Sequence, residues 1–154
     1  MGNGANVNYS ELNEFRKKLK KNLSENEVDL FIQDCAKELA ARLLAKVIKR
    51  TPVGKYPSGS GKVGGTLRRG WTTGKSATNY VNSLKVNYYD GVYVIEIINP
   101  VEYASYVEFG HRTRNHKSWV EGKFMLTISE EEIQASAPAI LENKLKKKLG
   151  ECFK

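Results

Sequence analysis

SENEVDLFIQDCAKELAARLLAKVIKRTP, residues Ser24 to Pro52, is the most strongly periodic segment of the chain. Val28, Phe31, Ile32, Cys35, Leu39, Leu43, Val47 and Ile48 recur in it at the 3.6-residue spacing of an amphipathic helix. Ser24 and Glu27 stand three apart, as in a capping box, and mark its start. Pro52 biases Thr51 away from helical dihedrals, so the helix should end near Arg50. Phe31, Cys35, Leu39, Leu43 and Val47 are the expected buried stripe. A helix of this kind needs an apolar surface to lie on.

On its N-terminal side, Glu11, Leu12, Phe15, Leu19 and Leu23 predict a short helix from about Tyr9 to Lys21, with Asn8 or Ser10 as N-cap. Residues 1–23 therefore read as a helical arm. On the C-terminal side, residues 53–65 are rich in glycine, with Pro57, Ser58 and Ser60, and predict a mobile loop. Beyond it the apolar period changes to two. Thr66–Thr72 reads as a short strand, and Val81–Tyr88 as another with Leu84, Val86 and Tyr88 on one face. Asp90-Gly91 predicts a type I′ turn into Val92–Ile98, where Tyr93, Ile95 and Ile97 share a face. Asn99-Pro100 closes that strand, and Glu102–Phe109 reads as a short helix stopped by Gly110. Residues 111–121 read as a polar loop. A final helix is expected from Phe124 to Leu149, with Glu130, Glu131 and Glu132 early and Lys144, Lys146, Lys147 and Lys148 late, as the helix dipole favours. Pro138 should kink or interrupt it. The expected class is α+β: a small antiparallel sheet with a long N-terminal amphipathic helix and a C-terminal helix packed on it, one domain over residues 24–149, and a tail at 150–154.

The chain has 154 residues, 40% of them apolar, and 25 Lys and Arg against 17 Asp and Glu, a net charge of +8. It can bury a modest core, but no apolar run reaches the roughly 20 residues of a membrane helix. Met1 to Ser10 is polar, so no secretory signal is expected and no membrane partner. From Leu39 to Tyr89 there is no acid, while Arg42, Lys46, Lys49, Arg50, Lys55, Lys62, Arg68, Arg69, Lys75 and Lys85 fall there. Such a segment would attract phosphates or an acidic protein surface. Lys55, Lys62, Arg68 and Arg69 are the candidates to face DNA or a partner.

Catalytic machinery is sparse. The two histidines, His111 and His116, are five apart among Arg112, Arg114 and Lys117, which would repel a metal cation. No elbow frames a nucleophilic serine, Cys35 and Cys152 form no CxxC, and the glycines of the loop spell neither phosphate-binding fingerprint. The reading is a non-enzymatic protein without cofactor or metal. A free-standing, non-specific nucleic-acid-binding module is the alternative, with Trp71, Tyr80, Tyr88 and Tyr89 as stacking platforms.

Two segments are more informative together than apart. Thr51-Pro52-Val53 is followed, after the glycine-rich stretch, by Gly65-Thr66-Leu67-Arg68-Arg69-Gly70-Trp71, and later by Tyr103-Ala104-Ser105-Tyr106-Val107-Glu108-Phe109-Gly110 and Phe124-Met125. This order resembles the neck, or head-tail joining, proteins of long-tailed bacteriophages and phage-derived tail-like particles, a family also described as tail component or minor capsid protein. The resemblance implies a small α+β subunit without catalysis that assembles into a six-fold ring at the head-proximal end of the tail. Its implied partners are further copies of itself and head-connector, tail-terminator or tail-tube proteins, with DNA passing transiently and non-specifically. Its implied location is the virion or tail-like particle, after assembly in the bacterial cytoplasm. Thr51, Pro52, Leu67, Trp71, Tyr103, Tyr106, Glu108, Phe109 and Gly110 match motif positions. The chain departs from the family's spacing where eleven residues separate Val53 from Gly65.

Overall fold

The computed structural model describes residues 9–152. The fold is α+β, in the order α1 (Tyr9–Asn22), α2 (Glu25–Arg50), α3 (Thr66–Gly70), α4 (Ala77–Ser83), β1 (Val86–Tyr89), β2 (Val92–Ile95), α5 (Ala104–Phe109), β3 (Gly110–Arg112), β4 (Trp119–Glu121) and α6 (Met125–Cys152). The long helix α2 is the axis of the molecule. Against it lie α6, α4 and the β1–β2 hairpin, with α1 touching both α2 and α6.

Ser24 caps α2 as its sequence demands, its Oγ accepting from the Glu27 N–H at 3.3 Å. The other arm of the capping box is redirected, since the Glu27 carboxylate faces Lys148 Nζ at 3.5 Å. Asn8, one of the two proposed caps of α1, lies outside the described residues, and Ser10 falls inside the first turn of that helix.

Cys35 and Val47 of the expected α2 stripe are buried, but between them the buried positions are Ala40 and Leu44, one residue after Leu39 and Leu43. Ala40, Leu44 and Val47 join Leu67, Trp71, Val81 and Met125 in the core, while Leu39 and Leu43 are only half-buried and so is Phe31. The cause is crowding from several sides. An apolar arc broad enough to serve α4, α6 and a hairpin at once has no single sharp phase.

Four further expectations are corrected. Thr66–Thr72 is not a strand but the short helix α3, entered through Gly65 at φ 93°. The first half of Val81–Tyr88 belongs to helix α4, which Ser76 caps by accepting from the Asn79 N–H at 3.2 Å, and only Val86–Tyr89 is strand. Residues 111–121 are not a featureless loop: Gly110–Arg112 pairs antiparallel with Trp119–Glu121. The expected single sheet is thus two separate hairpins. Finally, α6 runs through Pro138 and past Leu149 to Cys152, whose thiol is buried and bonded to the Lys148 carbonyl at 3.3 Å.

The first hairpin behaves as Asp90-Gly91 predicts. Both residues take positive φ, 51° and 83°, as a type I′ turn requires, and the register is Val86↔Ile95, Tyr88↔Tyr93 and Tyr89↔Val92. Tyr93 donates its hydroxyl to Asp29 of α2 at 2.6 Å, which pins the hairpin to the helix and pushes the phenol pKa up to about 12.

α2 and α6 run antiparallel, and a ladder of ion pairs joins them. Glu132, near the start of α6, binds Lys46 at 2.6 Å and Arg50, at the end of α2. Further on, Lys144 lies 2.7 Å from both Asp34 and Glu38. The acids respond as charge partners should: Glu132 is held below the usual carboxylate range by Lys46 and Arg50, and Glu38 by Lys144 and Arg42.

Candidate functional site

The motif residues divide into a buried scaffold and an uncovered face. The scaffold begins at Thr51, fully buried at the end of α2. Its hydroxyl donates to the Val47 carbonyl at 2.7 Å and accepts from the Trp71 indole N–H at 2.8 Å. Its carbonyl accepts from Arg68 Nη2 at 2.8 Å and Nε at 3.3 Å. A guanidinium therefore closes the C-terminal end of α2, where the dipole is negative. Leu67 and Trp71, 4% and 3% exposed, carry α3 into the core. Asn99 ties the far side, donating Nδ2 to the Leu67 carbonyl at 2.8 Å and accepting from the Val101 N–H at 3.1 Å. Its amide lies so close to Gly70 that a Cβ there would overlap Asn99 Oδ1.

A second buried joint links α5 to α6. Glu108 is 6% exposed. Its carboxylate accepts from the N–H groups of Leu126 and Thr127, each at 2.9 Å, and from the Thr127 hydroxyl at 2.7 Å. An acid from a neighbouring helix thus serves as the N-terminal cap of α6. The return contacts come from the strap before α6, where Lys123 N–H donates to the Val107 carbonyl at 2.7 Å and Phe124 N–H to the Glu108 carbonyl at 3.0 Å. Gly110 is required here. At φ 86° any side chain would be strained, and a Cβ would meet the Val120 carbonyl at 2.5 Å.

On the outside of this joint, Tyr103, Tyr106 and Phe109 are exposed, the last two by 59% and 62%. The neighbouring hairpin adds Trp119, 55% exposed, and Val120, and the strap adds Phe124. The indole of Trp119 leans on Gly110, and the Tyr106 ring stands 5.9 Å from that of His111. Sequence reasoning missed Trp119 and Val120 because the polar run before them reads as loop. Their signal was an aromatic and a β-branched residue in succession just before Gly122.

The four basic candidates have different surroundings. Lys55 and Lys62 are exposed on the loop after α2, with Lys62 Nζ 5.8 Å from the Tyr56 ring centre. Arg69 is exposed, and its Nη1 donates to the Gly64 carbonyl at 3.1 Å. Arg68 is engaged with Thr51 as described. Of the ten bases in the acid-free segment, Arg42, Lys46 and Arg50 are neutralised from outside it, by Glu38 and Glu132. Trp71, proposed as a stacking platform in the alternative reading, is buried and cannot take that part. Tyr88 and Tyr89 are exposed.

No group of His, Cys, Asp or Glu among the described residues has the geometry to hold a metal ion, and no described helix is long and apolar enough to cross a membrane. Burial raises the Cys35 thiol pKa, which disfavours the reactive thiolate.

Residues 13–110, more than half of the chain, match the family described as "Bacteriophage HK97-gp10, putative tail-component", and the chain belongs to that family. It is a phage structural protein, of a kind that works among other phage structural proteins. No curated protein and no solved structure matches it. The matched region ends at Gly110, the first residue of β3, so the rest of the β3–β4 hairpin and α6 lie beyond it.

Proposed function

We propose that the chain is a non-enzymatic neck or tail-completion subunit that assembles into a ring, six-fold in symmetry, at the head-proximal end of a phage tail or tail-like particle. The observation that carries this reading is the uncovered aromatic face of Tyr103, Tyr106, Phe109, Trp119 and Phe124, set on the rigid Glu108 joint of a tail-component family member. Large apolar side chains clustered on a surface mark a place where other protein binds. In a ring, one side of each subunit would meet the next copy, and the axial faces would meet a head connector, a tail terminator or the tube. Lys55 and Lys62, exposed on the glycine-rich loop, are suited to meet the phosphates of passing DNA without reading sequence.

Native mass spectrometry of the purified protein, alone and with neighbouring tail proteins, tests the reading. Discrete closed oligomers are expected. A chain that stays monomeric at every concentration and with every neighbour overturns it. The lumen assignment has its own test, since Lys55→Gln with Lys62→Gln should impair DNA retention or passage in assembled particles and leave the subunit fold intact. Nanomolar, sequence-specific DNA binding by the monomer in physiological salt would favour the nucleic-acid module instead.

A further inference from the structure

The second hairpin is built unlike the rest of the molecule. Its strands are three residues each, its principal contact with the body is α5, and from Arg114 to Glu121 every residue is exposed. A two-stranded ribbon in that situation has little to hold its shape. The tip is nevertheless tightly bonded: the Thr113 N–H donates to the Ser118 carbonyl at 3.0 Å, its hydroxyl donates to Asn115 Oδ1 at 2.7 Å, and the His116 N–H donates to the Thr113 carbonyl at 2.8 Å. The arm is thus stiffened without being packed. It carries Trp119 on one strand and Arg112, Arg114 and Lys117 around the tip, none of them in an ion pair among the described residues.

Next to the arm's base, with Glu108 and Phe109 in its lining, the body has a vacancy of complementary character. Between α5, the start of α6 and the segment after β2 lies an open groove of about 310 Å³, lined by Ile97, Ile98, Ala104, Leu126 and Glu130 among others. Its floor is apolar. Its rim carries an acid, Glu130, exposed there without an ion pair among the described residues.

We propose that the β3–β4 hairpin is an arm that docks into the groove of the next copy of this chain, head to tail, with Trp119 on the apolar floor and the tip cations against Glu130. A rigid aromatic anchor in a concave apolar site, with an opposite charge at its edge, is the arrangement that concentrates binding energy and fixes orientation. The stiffened tip lowers the ordering cost of docking. Because arm and groove are different surfaces, the contact is heterologous and propagates from copy to copy until the rotation closes. The inference rests on the ring reading above and assigns its subunit interface.

Sedimentation velocity and native mass spectrometry on three proteins test it: the wild type, Trp119→Ala, which removes the anchor, and Ser105→Trp, which fills the groove from its exposed rim. Circular dichroism and melting temperature should match the wild type in both variants, and Arg112→Glu with Arg114→Glu and Lys117→Glu repeats the arm test with the tryptophan in place. Each variant alone should require a concentration roughly thirtyfold higher to assemble, the effect of losing an aromatic anchor. An equal mixture of Trp119→Ala and Ser105→Trp should give dimers, since one good arm then meets one good groove and growth stops. If the wild type closes into rings and the variants do so equally well, this interface is wrong and the ring reading stands. If the wild type never assembles, the ring reading falls and takes the interface with it. If the variants lose duplex DNA binding but assemble normally, the arm is a nucleic-acid contact and the proposal is overturned.

Discussion

Two helix ends in this chain are closed by side chains of opposite sign. At the C-terminal end of α2, Arg68 sits on the Thr51 carbonyl; at the N-terminal end of α6, Glu108 sits on the Leu126 and Thr127 N–H groups. Each charge has the sign the local dipole favours. The surroundings differ. The Arg68 joint is locked from behind by the buried indole of Trp71, whereas the Glu108 joint has Tyr106 and Phe109 standing exposed on its outer side. A charged residue in a basic or aromatic-rich segment is thus no guide to the segment's outward chemistry: here the arginine and the glutamate are internal fittings, and the aromatics are what the surface offers.

The contrast can be broken at its strongest point by Trp71→Ala. Loss of the indole and of its bond to Thr51 should cost about 3–5 kcal/mol by chemical denaturation; a loss under ~1 kcal/mol would mean the first joint is not locked by the core. Glu108→Ala should cost about 1–3 kcal/mol by leaving two N–H groups and a hydroxyl without their acceptor, and hydrogen exchange should rise first at Leu126 and Thr127. Arg68→Ala should cost about 1–2 kcal/mol, less because the guanidinium is only half-buried and water can take its place on the Thr51 carbonyl. Equal losses in these two variants would erase the distinction between the joints.

Acid should loosen the α2–α6 ladder separately from both joints. Glu38 and Glu132 have folded pKa values below the unfolded value of about 4.3, so their stabilisation is present above that value and is lost as pH falls through the folded ones. Replacing both with Gln should flatten the pH dependence of the melting temperature between about pH 2 and 5. An unchanged slope would show that the ladder contributes nothing. The smallest effect on stability is expected on the outer face, where Tyr106→Ala and Phe109→Ala should each change it by no more than about 0.5 kcal/mol while weakening assembly. Large destabilisation there would make those rings part of the core.

Much of this was legible in the residues. α2 announces itself by a cap, a period and a proline stop, and β1–β2 by Asp90-Gly91, because these signals are local and the structure agrees with them. α3 was misread because Thr66–Thr72 is too short for a period to show; its helical form depends on Arg68 and Trp71 reaching back to Thr51, twenty positions away for the indole. Within the α2 stripe, Cys35 and Val47 are buried as expected, but Leu39 and Leu43 give way to Ala40 and Leu44 for a related reason, as three partners compete for its apolar arc. At the candidate site, Glu108 and the exposed aromatics occupy one short motif, and nothing in their order says which of them faces inward. Only the position of α6 settles that, with its free N–H groups waiting for an acceptor.

The pairing of α2 with α6 also sets a timetable for synthesis. Lys46 and Glu132 are 86 positions apart, and Met125, which seals the core beside Leu44 and Val47, is made long after them. A chain emerging from the ribosome must hold the apolar side of α2 in solvent until α6 has followed it out, so folding waits on a late, long-range closure. A fragment halted at Gly110 would contain the whole family-matched region and still lack Met125. Truncated subunits would therefore be sticky rather than merely short.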